Sequence, residues 1–341
     1  MRLRALCVLA CLPLCASFPA AQTFAFRADK GASVEKRFAM DLSMDLDEFS
    51  MSVGDEELPD EHIGSLEMSI QQESRLVFED TYPQGAEGRP ALLHRKFVAL
   101  ANEERQTMGG LVDDESESSG ETTSETSELE GRTVAFRWNA EEDKFDLSYE
   151  GESEGADEAL LEGLIEDCDL RGVLPAVEVG EGDTWDLDAQ VFDLLTGPGG
   201  DVALEDPTDE DDSDDDLDEQ FRENIEGDLK ATFAGLREVE GAKLAVIELR
   251  GSAKTHAEQD ASEGEGHGGT RSLALEFSQI EGEVLWDLEL GRAVSYSLSG
   301  NVQARIVEDS TLEFDGQSIE MSQRMTLVGK LSATGTFAAA E

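Results

Sequence analysis

The sequence predicts a mainly β protein, with long antiparallel strands forming an extended sheet or half-barrel, one short helix near 156–168, and disordered acidic loops. Three observations predict it. Apolar residues recur with period two over runs too long for a turn of helix to explain. Glu-Gly and Asp-Gly pairs separate such runs in the way hairpin turns do. The strand-helix alternation that a parallel sheet requires is absent.

The first strand shows the pattern best. Val34, Phe38, Met40, Leu42, Met44 and Leu46 share one parity, and only Lys36 breaks the row. Phe49, Met51 and Val53 then take the other parity, as a β-bulge would require. Leu66, Met68 and Ile70, followed by Leu76 and Phe78, predict a second strand, and Phe97 with Val98 a third. In the C-terminal half, "DLKATFAGLREV" meets "KLAVIELRGSAKT" across Glu240-Gly241, and "SLALEFSQI" meets "EVLWDLEL" across Glu281-Gly282. "LGRAVSYSLSGNVQARIV" follows, and Asp315-Gly316 separates "STLEF" from the last long run. Leu160, Leu161, Leu164 and Ile165 have helical spacing, which predicts a helix from about Ala156 to Cys168.

Three stretches interrupt this alternation: Asp113–Glu130, Glu205–Gln220 and Ala257–Thr270. They are rich in acid, serine and glycine, and the first carries a single leucine. Such segments bury too little apolar surface to offset their ordering entropy, so they are expected to be flexible inserts. The organisation is then a signal peptide over 1–21, an N-terminal β-rich half over 22–172 and a C-terminal antiparallel half over 173–341. Whether the halves share one core is left open.

The opening residues, "MRLRALCVLACLPLCASFPAAQT", combine two arginines, an apolar stretch from Ala5 to Leu14 and small residues, as a secretory signal does. Cleavage after Ser17 or Ala21 fits, and a lipid anchor at Cys11 or Cys15 fits less well. The expectation is a periplasmic or secreted protein, with no membrane segment once the signal is removed, because no later run approaches the roughly 20 apolar residues a membrane helix needs. Loss of Arg2 and Arg4 takes 26 basic side chains to 24 against 78 acidic ones, 24 − 78 = −54. This field excludes nucleic acid and anionic membranes as partners and favours cations or basic partners. Cys168 is the only mature cysteine, so no intramolecular disulfide forms. Glu166, Asp167 and Asp169 around it disfavour a thiolate, and a half-buried helical cysteine is expected.

Gly151-Glu152-Ser153-Glu154-Gly155 reads G-x-S-x-G, the spacing of a hydrolase nucleophile elbow. Its surroundings argue against that chemistry. "GHGG" at Gly266–Gly269 looks like an oxyanion loop but lies over a hundred residues after the serine, the wrong order for this class of hydrolase. Glu152 and Glu154 oppose the negative charge that acyl transfer builds. The competing reading is a turn capping the helix, with Asp157 and Glu158 in its first turn. His62, His94, His256 and His267 show no metal-ligand spacing. Asp212, Asp214, Asp216 and Glu223 match a calcium-loop register, but Leu217 stands where the loop needs glycine. Only weak, nonspecific binding of divalent cations is expected. The sequence therefore nominates no catalytic, metal or cofactor-binding residues, and no cofactor.

Met40, Met44, Met51 and Met68 sit on the N-terminal strand faces, and Met321 and Met325 share a face of the last strand. Methionine lines adaptable apolar surfaces, so these rows point either to core or to a groove for an acyl chain. "LPAVEVGEGDTWDLD", Leu174–Asp188, resembles the LP…V…GDTW signature of uncharacterised exported bacterial proteins, a domain-of-unknown-function family. Leu174, Pro175, Val179, Gly182, Asp183, Thr184 and Trp185 carry the resemblance, while Glu181 replaces the family's usual apolar residue. "FRADKGASVEKRF" and "GEVLWDLELGRAVSYSLSG" are weaker echoes of the same family. The resemblance implies a β-rich exported protein and no particular activity.

Three readings of function follow. The first is a non-catalytic extracytoplasmic binding or envelope-associated protein with an unknown protein partner. The second is a periplasmic carrier of a lipid or other apolar ligand. The third is a serine hydrolase using Ser153.

Overall fold

A computed structural model describes residues 21–54, 56–59, 66–109, 119–151, 157–204, 220–260, 267–314 and 317–340. The strands in chain order are β1 (Arg27–Ala28), β2 (Ala32–Val53), β3 (Glu56–Glu57), β4 (Glu67–Tyr82), β5 (Ala86–Glu87), β6 (Arg89–Pro90), β7 (Leu92–Gly109) and β8 (Ser119–Thr126). They continue as β9 (Thr133–Asn139), β10 (Lys144–Tyr149), β11 (Thr184–Leu187), β12 (Glu226–Val239), β13 (Ala242–Asp260), β14 (His267–Asp287), β15 (Arg292–Phe314) and β16 (Gln317–Ala339). The helix α1 spans Gln190–Thr196, and residues 220–223 are also helical.

Thirteen strands form one open antiparallel sheet, in the order β10-β9-β7-β4-β2-β16-β15-β14-β13-β12-β11, with β3 beside β2 and β8 beside β7. The chain's two halves meet where β2 pairs with β16 along nearly its whole length. β1, β5 and β6 form a separate small sheet.

The parity switch in the first strand is a bulge. Thr326 pairs with Glu48 and Leu327 with Leu46, so Asp47 is the extra residue and Phe49 keeps to the face of Leu46. The Glu240-Gly241 hairpin also forms, with both residues at positive φ (50° and 87°), as a tight turn of that hand requires. Phe314 pairs with Gln317, which joins β15 to β16 across Asp315-Gly316, two residues outside the described set.

Glu281-Gly282 is not a turn. β14 runs straight through it, paired with β13 on one side and β15 on the other. The break in alternation comes from a bulge between Ser278 and Glu281, with Gln279 at φ 52°. Gly282 serves close approach instead, because a Cβ there would lie 2.7 Å from the Ser297 carbonyl oxygen.

The acidic inserts are shorter than composition suggests. Ser119–Thr126 of the first one is strand β8, where threonines suit a pleated edge, and the lone Leu129 is fully buried. Ser127 Oγ accepts the Leu129 N–H (3.1 Å), and Glu130 accepts the Leu100 N–H (3.2 Å), which fixes the following turn. In the third, Ala257–Asp260 and His267–Thr270 extend β13 and β14. Residues 113–118, 205–219 and 261–266 lie outside the described residues.

One end of the sheet is covered on its inner face by residues 157–204 and by the N-terminal segment from Phe24. Val191, Phe192 and Leu195 of α1 are buried there with Phe38, Phe78, Phe97, Val284 and Trp286 in the main core. Tyr296 Oη donates to the Leu195 carbonyl (2.7 Å), and Phe192 meets Phe277 at 4.7 Å between ring centres. The other end projects beyond this cover. There Met44, Met68, Val302, Ala304, Ile306 and Leu327 are buried in a second cluster, built wholly from strands among the described residues.

The helix expected over 156–168 is replaced by one 3-10 turn, Ala159–Leu161, followed by irregular chain. Its backbone groups have other partners. Leu164 bridges Gly200 in β fashion, and Arg95 takes the carbonyls of Ile165 and Glu166 (2.8 and 2.9 Å). Asp167 accepts the N–H groups of Asp169, Arg171 and Gly172. The Ile165 N–H donates to the Gly199 carbonyl (2.8 Å) and the Gly163 carbonyl accepts the Asp201 N–H (3.0 Å), and both of these groups would have been paired internally in a helix over 156–168. No helix among the described residues is long and apolar enough to cross a membrane.

Candidate functional site

Lys36, the residue that breaks the apolar row of β2, is fully buried. Two more charges stand at inward positions of adjacent strands, Asp80 on β4 and Arg95 on β7, directly opposite each other and both fully buried. Arg95 grips Asp80 with two hydrogen bonds, Nε to Oδ1 and Nη2 to Oδ2, each 2.8 Å. Lys36 Nζ lies 2.6 Å from both Asp80 Oδ2 and Asp169 Oδ1. Tyr82 Oη donates to the Asp169 carboxylate (2.8 Å). Two cations and two carboxylates thus neutralise each other and tie the irregular 165–169 segment to the sheet. That is the arrangement buried charges require.

The electrostatics follow from this pairing. Burial alone would depress the Lys36 ammonium, but Asp169 and Asp80 outweigh it and hold it above its ordinary value. Burial would raise Asp80, yet Arg95 and Lys36 keep it below the usual carboxylate range. Burial, then Asp169 and Asp80, push the Tyr82 phenol well up. Cys168 is fully buried in irregular chain, not half-buried in a helix, and burial pushes its thiol up to about 12 despite Arg95 and Lys36. Its burial also closes off pairing with a second chain in the folded state. Glu166 is raised to about 7, chiefly by burial, against the pull of Arg171 that contacts it.

A cleft of about 340 Å³ opens onto this network. Phe26, Val34, Ala293 and Phe337 form its walls, Tyr82 and Asp169 its floor, and Arg27, Asp29, Glu289 and Arg292 stand around it. Asp169 Oδ1 already receives Lys36 and Tyr82, while Oδ2 receives Tyr82 alone. Tyr82 has one proton to divide between the two oxygens, so Oδ2 is the less satisfied acceptor of the pair.

The residues singled out by sequence fall elsewhere. Ser153 lies outside the described residues; Gly151, two residues past the end of β10, sits at φ 85°. Asp157 Oδ1 accepts the Ala159 N–H (3.0 Å) at the start of the 3-10 turn, while residues 152–156 of the expected capping turn lie outside the described residues. His94 Nε2 is 3.4 Å from Glu150, His256 is paired in β13 and β14, and His62 is outside the described set. Asp212, Asp214, Asp216 and Leu217 are also outside it. The signature stretch acts as a folding device. Gly180 N–H donates to Asp183 Oδ2 (2.7 Å), Gly182 turns at φ 90°, and the half-buried Trp185 donates Nε1–H to the Val173 carbonyl (3.0 Å). Met40 joins the main core and Met44, Met68 and Met325 the second cluster.

Sequence reading missed the network. The available signal was a charge at inward parity in three strands, of which only Lys36 stood out by breaking a long row. Asp169 carried no signal, because it sits among other acids in an irregular segment.

No family model matches the chain, and no curated protein matches it.

Proposed function

We propose that the chain is a non-catalytic extracytoplasmic binding protein, and that the cleft above Asp169 and Tyr82 is where it holds a small ligand. One observation carries this reading. The cleft combines apolar walls with a few convergent polar groups, as ligand sites do, but its chemistry is locked. Tyr82 is held protonated and Lys36 behind it is held charged, so neither exchanges a proton near neutral pH. Recognition fits such a floor better than catalysis. Export through an N-terminal signal and kinship with the LP…V…GDTW proteins belong to the same proposal, supported by the turn that Gly182, Asp183 and Trp185 build.

The second reading, a carrier of an apolar ligand, draws on the second cluster, where Met44, Met68 and Met325 stand among leucine, isoleucine and valine at the projecting end. Native mass spectrometry of the mature chain, purified from its own periplasm or medium, separates the two. A small adduct lost on Asp169→Ala supports the cleft. A lipid-sized adduct removed by organic solvent, and insensitive to Asp169, transfers the function to the methionine face. A fluorophosphonate probe should leave the chain unlabelled; labelling abolished by Ser153→Ala would overturn both in favour of a hydrolase.

A further inference from the structure

Among the described residues the sheet ends on β11, and one side of that strand has no partner strand. The Phe233 N–H donates to the Asp183 carbonyl (3.0 Å), which sets the phase of the ladder with β12. Hydrogen-bonded pairs alternate with non-bonded ones in an antiparallel pair. Trp185 and Leu187 therefore bond to Ala231 and Leu229, whereas Thr184 faces Thr232 as a non-bonded pair, their hydroxyls 2.9 Å apart. Thr184 and Asp186 consequently turn their N–H and C=O groups outward, away from β12. An exposed row of this kind is a template for an added strand, and folded proteins ordinarily cover or blunt it.

Here the edge faces a groove. About 460 Å³ of space runs between β11 and the segment around Pro175–Val179. Val177, 70% exposed, stands on the groove wall as an apolar contact. Glu178, Asp183, Asp186 and Asp188 line the groove and, among the described residues, no lysine or arginine does, although Lys230 reaches Asp186 from the neighbouring strand (2.6 Å). Charge complementarity chooses the occupant. A second copy of this chain would bring a strongly negative surface to a negative groove, whereas an extended basic segment gains main-chain hydrogen bonds and favourable charge together.

We infer that β11 is a docking edge for an extended, lysine- or arginine-bearing segment of a partner protein, which adds to the sheet as a further antiparallel or parallel strand. This surface is separate from the cleft at Asp169 and goes beyond the ligand-binding reading.

The test uses the full mature chain and a fluorescein-labelled octapeptide of alternating lysine and valine. Fluorescence anisotropy should show saturable binding that Thr184→Pro weakens about tenfold, since proline deletes an N–H that only the incoming strand uses. Thr184→Val keeps that N–H and should bind within about twofold of wild type. Hydrogen exchange on the wild-type chain should show the amides of Thr184 and Asp186 gaining protection on peptide addition, which keeps the test valid if the proline variant misfolds. Thr184→Pro alters the edge and not the cleft, so it should leave any small adduct of the cleft in place by native mass spectrometry, and failure of the cleft reading and failure of this one are distinguishable. Equal binding by the proline variant, or protection elsewhere on the sheet, would overturn the inference and assign the attraction to the general negative charge. Concentration-dependent dimerisation abolished by Thr184→Pro would overturn the choice of partner in favour of a second copy.

Discussion

The covered and projecting ends of the sheet are built from the same strands, yet they are held together differently. At the covered end β2, β4 and β7 point Lys36, Asp80 and Arg95 inward beneath an irregular segment, and the charges bind that segment by its carbonyls and by Asp169. At the projecting end β2 and β4, with β14, β15 and β16, pack aliphatic and methionine side chains and Phe277 against one another. Alternation alone builds a face. What lies over that face decides whether charges can be placed on it.

The sharpest way to break the comparison is to remove the charge that anchors the cover. Arg95→Met leaves Asp80 buried with one cation in place of two and frees the carbonyls of Ile165 and Glu166. Breaking a buried pair from one side costs about 3–5 kcal/mol, which urea unfolding should report together with lost exchange protection over 157–204. The second prediction concerns the projecting end. Leu327 is fully buried, and Leu327→Ala should cost about 3 kcal/mol through its cavity while protection over 157–204 stays at the wild-type level. Matching loss of protection in both variants would mean that the two ends are one cooperative unit.

Acidity probes the covered end selectively. The folded Glu166 carboxyl titrates at about 7 against an ordinary 4.5, so the folded chain retains a proton that the unfolded chain releases. Its contribution to stability is therefore greatest below about pH 4.5 and is lost as pH rises to about 7. Asp80 has the opposite sign: its lowered value gives stability above 3.8 that is lost as pH falls through the folded value. Glu166→Gln should flatten the decline in melting temperature between pH 5 and 7, a gain on wild type of about 2 kcal/mol at pH 8. That is less than the ~3 kcal/mol of the whole rise, because glutamine gives up the Arg171 ion pair. An unchanged slope would place the decline in the general repulsion among surface acids.

The smallest effect is expected at the signature turn. Trp185→Phe keeps most of the ring's packing and loses the Nε1–H bond to the Val173 carbonyl, for a cost of about 1 kcal/mol by thermal denaturation. A much larger loss would make this bond a main fastening of the cover to the sheet edge.

Much of the sheet was legible because alternation is a local property. The bulge at Asp47, the Glu240-Gly241 turn and the long first and last strands are all written as parity and turn chemistry. Glu281-Gly282 misled because a glycine required for close approach to Ser297 has the same spelling as one required for a turn. The helix over 156–168 misled for a related reason. Leucine spacing specified an apolar face, but the partners of the backbone groups lay 70 residues away, on Arg95.

By itself the sequence determined the class of structure, since period-two patterning and hairpin pairs act between neighbours along the chain. It also marked Lys36 as an exception without saying what the exception was for. Only the tertiary structure decided that Asp80, Arg95 and Asp169 meet Lys36, that Cys168 is sealed beneath them, and that β11 is left with an open edge. These are contacts between residues far apart in the chain, chosen by strand order and register. A buried charge is tolerable only where its partners converge, and convergence is a property of the whole fold.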